Sequence, residues 1–214
     1  MSGPMDTGDF DLSGFITAVA TAEPLPAGVA VAALTAALAA ALAEMGAGVA
    51  LKRPSAGTDD EADTAELRRV RGEAVAWRAA LLRAIEEDSA AYRGYMAARK
   101  LPREGDAARR LRDNALARTR LAAALAPLSI AGMAYDLLGF LGTVAERAGP
   151  AMRSDLASGA ILAEAALRCA TLAVRTNLRG HPDEIERDDL LAQAATLAGR
   201  AAQKCATIVK IAEQ

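Results

Sequence analysis

The sequence predicts an all-α protein: an antiparallel bundle of six to seven long helices, expected to pair with a second copy of itself. Three observations lead there. Hydrophobic residues make up 52% of the 214-residue chain, yet aromatics make up only 3%. The core must therefore be built from Ala, Leu, Val and Ile, and of these alanine and leucine are strong helix formers. Apolar residues recur at spacings of three and four, and no stretch alternates convincingly as a strand does. The breaks between periodic stretches are short, so neighbouring helices should pack antiparallel. Alanine-rich, highly apolar helices imply a large buried interface, most simply a homodimer. The length suits one sizeable domain. A flexible tail is expected over residues 1–12 and a single helical domain over 13–214.

The first expected helix runs from about Gly14 to Ala22, with Asp11 or Ser13 as its cap. Pro24 and Pro26 end it, because each forces the preceding residue away from helical angles. Gly28 then allows a close turn into an apolar helix ending near Leu51. That helix approaches the length of a membrane span. Its alanines contribute little to insertion, and Glu44, Gly46 and Gly48 interrupt it, so a central core helix is the expectation.

"KRPSAGTDDEAD" reads as a loop. Thr64 is expected to open a long helix to about Lys100, with Leu67, Val70, Ala74, Trp77, Leu81 and Ile85 on one face. "LPREGD" ends it. A helix from about Asp106 should turn Leu111, Ala115, Leu121 and Leu125 inward, and Pro127 should break or kink it. A second apolar helix follows from Leu128 to Arg147. "AGP" stops that helix, and Ser154 is the expected N-cap of the next, which runs to about Leu178. After the turn "RGHPDE", a last helix spans about Asp183 to Ala212.

Lys+Arg number 25 and Asp+Glu 27, for a net charge of −2. Acids interleave the arginine clusters Arg68, Arg69, Arg71 and Arg109, Arg110, Arg112. Stacking aromatics are few, so a nucleic-acid partner is not expected. Cys169 and Cys205 lack metal-ligand spacing, and His181 has no partner histidine, so no metal site is expected. "MSGPMDTGDFDLSG" has no basic or apolar leader character, and a cytoplasmic location without membrane association is the expectation.

Several segments in order resemble the cyclodeaminase/cyclohydrolase family: Phe15, "PLPAG" feeding "AALTAALAAALAEM", "EEDSAAYRGYMAARKLP", "RLRDNALARTRLAAALAPL" and "RSDLASGAILAEAALRCATLAVRTNL". That family includes the cyclodeaminase half of formiminotransferase-cyclodeaminase and the methenyltetrahydrofolate cyclohydrolases. The resemblance covers about Phe15 to Leu178. The family motif P-x-P-G-G-G-S reads here Pro24, Leu25, Pro26, Ala27, Gly28, Val29, Ala30. The prolines survive, whereas two of three glycines and the serine do not. Glycines before a helix let N–H groups approach a polar ligand. Val29 adds bulk, and Ala30 lacks the hydroxyl. The M-V-x-N-L-T-x-G-x-K segment has lost its asparagine and threonine in the run from Met45 to Arg53. The N-V-x-x-N segment keeps only Asn177.

The resemblance implies a tetrahydrofolate derivative as substrate and no metal. It also implies chemistry on the cationic one-carbon bridge, where a carboxylate serves as proton acceptor. Asp88, in "DSAAY", matches the family's acidic residue. Three after Ile85 and four before Tyr92, it should point towards the apolar face and be partly desolvated. Asp155 matches the family's S-D segment and is the second catalytic candidate, though Ser-Asp at a helix start also serves as a cap. Pro26, Gly28, Lys52, Arg53 and Asn177 are the expected substrate-binding residues, with Lys52 and Arg53 placed to meet a glutamate tail. Lys100 and Arg109 are weaker versions of that idea. Asp136 is a third acid, for the pocket or for a buried arginine pair. Cys169 is expected in the core and His181 in solvent. The alternative to an enzyme is a dimeric scaffold or regulatory binding protein of the same fold, whose ligand loop has decayed.

Overall fold

The computed structural model describes residues 11–52 and 60–214. Among these, six α-helices and one short 3-10 turn form the fold, with no strand: α1 (Leu12–Val19), α2 (Gly28–Ala50), α3 (Asp60–Arg99), α4 (Asp106–Ala145), the turn Pro150–Met152, α5 (Arg153–Asn177) and α6 (Glu184–Ala212). Residues 1–10 of the expected tail lie outside the described residues, as does Arg53.

Helix α2 is the central element and touches α3, α4 and α5. Alanines make it so: Ala30, Ala33, Ala36, Ala39, Ala40, Ala43 and Ala47 are all fully buried. Small side chains let the neighbouring backbones close in. At Gly46 an added Cβ would lie 2.7 Å from Leu156 Cδ2, and at Gly159 it would lie 2.8 Å from Leu141 Cδ2. Leu81, Ile130, Leu137, Leu138, Leu141, Leu156 and Leu167 fill the surrounding shell without solvent exposure. Helices α2, α4 and α5 are long and apolar enough to cross a membrane by length and composition, and about half of each such stretch is buried within the fold.

Several local expectations change. Asp11 caps α1, accepting from the Gly14 N–H at 2.9 Å, but the helix is shorter than expected and stops at Val19. Helix α3 begins at Asp60 rather than Thr64, because the acids of "DDEAD" suit a helix N-terminus. Ser154 does not cap α5. The chain enters α5 through the 3-10 turn, so Ser154 is already inside the helix, where its carbonyl accepts from Ser158 Oγ at 2.8 Å. In the first half of α4 the buried residues are Leu116 and Ala124, while Leu111 and Leu125 are exposed. Asp183 caps α6 through the Glu186 N–H.

Pro127 does not divide α4, which runs unbroken through it for 40 residues. A proline inside a helix leaves the carbonyl four residues back without its N–H partner. Here that carbonyl belongs to Ala123, and Asn177 Nδ2 donates to it at 2.6 Å. The last residue of α5 thus replaces the hydrogen bond that Pro127 removes.

Candidate functional site

A cavity of about 960 Å³ opens where α2 begins and α5 ends, near the upper end of the size usual for small-molecule sites. The linker from Glu23 to Ala27 and the first turn of α2 form one wall. Asp88, Tyr92 and Tyr95 of α3 form a second, and Arg120 and Ala123 of α4 a third. The last turns of α5, from Cys169 to Asn177, and Arg179 beyond them complete it. Because the start of α2 and the end of α5 meet here, these two helices run antiparallel.

The prolines shape the first wall. They hold the linker out of helical conformation, and the Leu25–Pro26 peptide is cis. Ala27 precedes α2 in extended conformation and makes no side-chain cap hydrogen bond. The N–H groups of the first turn are thereby left to solvent or a ligand, at the positive end of a 23-residue helix. A Cβ added at Gly28 would meet no atom within 4 Å, so protein packing does not demand glycine there. Val29 and Val31 make this wall apolar.

Asp88 comes off the buried stripe of α3, one turn after Ile85. It is only 9% exposed, and it makes no hydrogen bond or ion pair with any described residue. Burial pushes its carboxyl above the ordinary aspartate range. Tyr92 and Tyr95 follow on the same face, so α3 presents one acid and two phenols to the cavity. Asn177 lines the cavity while its amide is spent on Ala123.

The structure brings Asp88, Pro26, Gly28 and Asn177 together at this cavity. It does not bring Asp155 or Lys52 there. Asp155 lies in the first turn of α5, about 33 Å along the helix from Asn177. Lys52 follows the far end of α2, about 35 Å from Gly28. Within one chain both belong to the opposite end of the bundle, away from this cavity. Lys100 and Arg109 also lie away from the cavity, the latter donating to the Arg103 carbonyl.

Asp136 is exposed in a separate groove of about 430 Å³ with Glu73, Trp77 and Lys204. Burial and Glu73 raise its carboxyl pKa, and Lys204 opposes them. Cys169, expected in the core, is exposed at the cavity. His181, expected in solvent, is 5% exposed, with Nε2 2.8 Å from Glu186 Oε2. Sequence reasoning missed Tyr95, Arg120 and Arg179. Tyr95 was within reach, seven residues after Asp88. Nothing near Arg120 in sequence distinguishes it from the other arginines of α4. Among the described residues no group of His, Cys, Asp or Glu side chains could hold a metal.

Fold and cavity define an all-helical protein with a large cavity at one end of its bundle, lined by a buried carboxylate and by an uncapped helix N-terminus. The formiminotransferase-cyclodeaminase family profile matches residues 11–196, and the chain belongs to that family. Among solved structures, formiminotetrahydrofolate cyclodeaminase from Thermotoga maritima is similar, with a TM-score of 0.84 and 25% identity over 97% of this chain and 98% of that one. No curated protein sequence matches the chain.

Proposed function

We propose that this chain is a folate one-carbon enzyme, acting as a formiminotetrahydrofolate cyclodeaminase or a methenyltetrahydrofolate cyclohydrolase. One observation carries this: a buried, unpartnered Asp88 lines the same cavity as the proline-bent linker and the first turn of α2. Membership of the formiminotransferase-cyclodeaminase family and the likeness to a formiminotetrahydrofolate cyclodeaminase support a folate substrate.

Both reactions place a proton acceptor beside a cationic amidine carbon. In the cyclodeaminase reaction, N10 attacks the formimino carbon and forms the new C–N bond. Asp88 takes the N10 proton and passes it to the formimino nitrogen, whose bond to carbon then breaks to release ammonia and leave the methenyl cation. In the cyclohydrolase reaction, water adds to the methenyl carbon and Asp88 takes its proton. The carbon–N5 bond then breaks with that proton passing from Asp88 to N5, and the hydroxyl proton is lost to solvent as the C=O of the N10 formyl group forms. A raised pKa suits a carboxylate that must both take and return a proton. In its ionised form the same group stabilises the cation.

The test is turnover of 5-formiminotetrahydrofolate and of 5,10-methenyltetrahydrofolate, read by ammonia release and by the methenyl absorbance. One substrate should turn over, with Asp88→Asn slower by on the order of 100-fold or more. Turnover of neither, with no tetrahydrofolate derivative raising the melting temperature, would leave the scaffold or regulatory reading. Val29 and Ala30, in place of the family's glycine and serine, are the residues that favour that second reading.

We also propose that two copies pair through α2. Val31, Leu38, Met45 and Val49 are exposed on one face of it. With Thr35 and Leu42 they sit at spacings of four, three, four, three, four. They form one continuous apolar stripe, which a second copy can cover about a two-fold axis.

A further inference from the structure

We propose that Arg120 and Arg179 form a carboxylate-recognising arm of the cavity, seated about two helical turns from Asp88. This rests on the folate reading above, and it gives the anion-binding role to residues of the cavity rather than to Lys52, which follows the far end of α2.

The arm is built from three elements. Arg120 projects from α4, and its guanidinium lies 5.9 Å from the centroid of the Tyr95 ring. Its Nη1 donates to the Gly180 carbonyl at 3.1 Å. An arginine has five N–H donors in a fixed fork. One bond to a carbonyl and one aromatic face fix this fork while leaving most of its donors unspent. Neither Arg120 nor Arg179 forms an ion pair with a described carboxylate. Both nevertheless line the cavity. The anchor depends on the α5–α6 turn, where Gly180 has φ of +72° and other residues would be strained. The same turn carries Arg179 to the cavity edge.

Spacing sets the ligand. Tyr95 is seven residues after Asp88 on α3, about 10 Å along the helix. A ligand whose reacting amidine sits at Asp88 would extend about 10 Å along α3 to reach Tyr95 and the Arg120 guanidinium over its ring. The glutamate-bearing arm of a folate carries the carboxylate that such a fork takes. Glu23 also lines the cavity but is exposed at its mouth, where solvent screens it. Cation and aromatic together would seat the arm of the ligand, and the fork would hold its end in a bidentate pair.

The experiment is calorimetric titration of the full chain with 5-formyltetrahydrofolate and with its glutamate dimethyl ester, which keeps the shape but not the charge. The wild type should bind the free acid on the order of tenfold more tightly. Arg120→Gln and Arg179→Gln should each narrow that gap, and together they should close it, with the free acid losing much more affinity than the ester. Arg179 is exposed, so its variant tests the arm even where Arg120→Gln disturbs the turn. Equal wild-type affinity for acid and ester would overturn the proposal. So would variants that weaken both ligands alike, since that marks a structural role. Binding of neither compound at saturation would overturn the folate reading itself, and the arm with it.

Discussion

Asp88 is the one buried carboxylate among the described residues, and its setting fixes two expected outcomes. Burial raises its pKa, so the native state holds the proton more tightly than the unfolded chain does. Stability is therefore full below the ordinary aspartate range and falls as pH rises through the native pKa. Asp88→Asn removes a buried, unpaired charge. Above that window it should raise the melting temperature by about 2–4 °C for each 1 kcal/mol gained; at low pH it should make no difference. Calorimetric scans across pH check this. Activity carries the opposite sign. The ionised form is the base, so kcat/KM should fall on the acid side with a midpoint above the ordinary aspartate range, and Asp88→Asn should lack that limb.

Gly28 gives a second test at this scale. An added methyl meets no protein atom, so Gly28→Ala should change stability by no more than about 1 kcal/mol. The methyl would still crowd any ligand seated on the first turn of α2. Weaker folate binding at unchanged stability is the expected result, read by titration and thermal melting together. A tightly packed glycine such as Gly46 should behave oppositely. Gly46→Val would press on Leu156 and Val144 and should cost about 1–3 kcal/mol without touching the cavity.

At the scale of elements, the Pro127–Asn177 relation links two helices that form the site. Asn177 answers a carbonyl that only a proline leaves free, so the two residues should be coupled. Asn177→Ala should cost about 1–3 kcal/mol in the wild type, because it strands the Ala123 carbonyl. In Pro127→Ala the backbone N–H returns, and the same substitution should cost less. A double-mutant cycle by denaturant unfolding measures that difference. The pair also shows where the sequence was legible and where it was not. Periodicity placed the apolar stripe of α3, and with it the direction of Asp88. The prolines and Gly28 marked the start of α2. The continuity of α4 was hidden, because rescue of a proline depends on a side chain 50 residues away in sequence. Ser154 misled for a local reason: a 3-10 turn before it supplied the start that its hydroxyl would have capped. The site at Asp88 could be read from one helix, whereas Arg120 reaches the cavity from α4 and is held by a carbonyl of the α5–α6 turn.

For the whole molecule, the antiparallel α2 and α5 decide which residues can cooperate. The resemblance named Asp155 and Lys52 as site candidates along with Asp88, and within one chain the lengths of α2 and α5 hold them at the other end of the bundle. Composition predicted the helical class correctly because alanine leaves few other ways to build a core of this size. The same alanines leave an apolar stripe on the outer face of α2. Leu38→Glu should place like charges across the proposed two-fold contact and convert a dimer to monomers in light scattering. An unchanged mass would count against pairing through α2. Val31 lies both on this stripe and at the cavity, so the monomeric variant should also bind folate less tightly.

The proposed chemistry needs a shared hollow between the acid of α3 and the bent linker before α2. A crystal structure of the chain soaked in 5-formyltetrahydrofolate tests it most directly. The expected density places the one-carbon bridge beside Asp88, with the ring system against Pro26 to Val29. Density at the far end of the bundle, near Asp155 and Lys52, or a cavity empty at saturation, would contradict it.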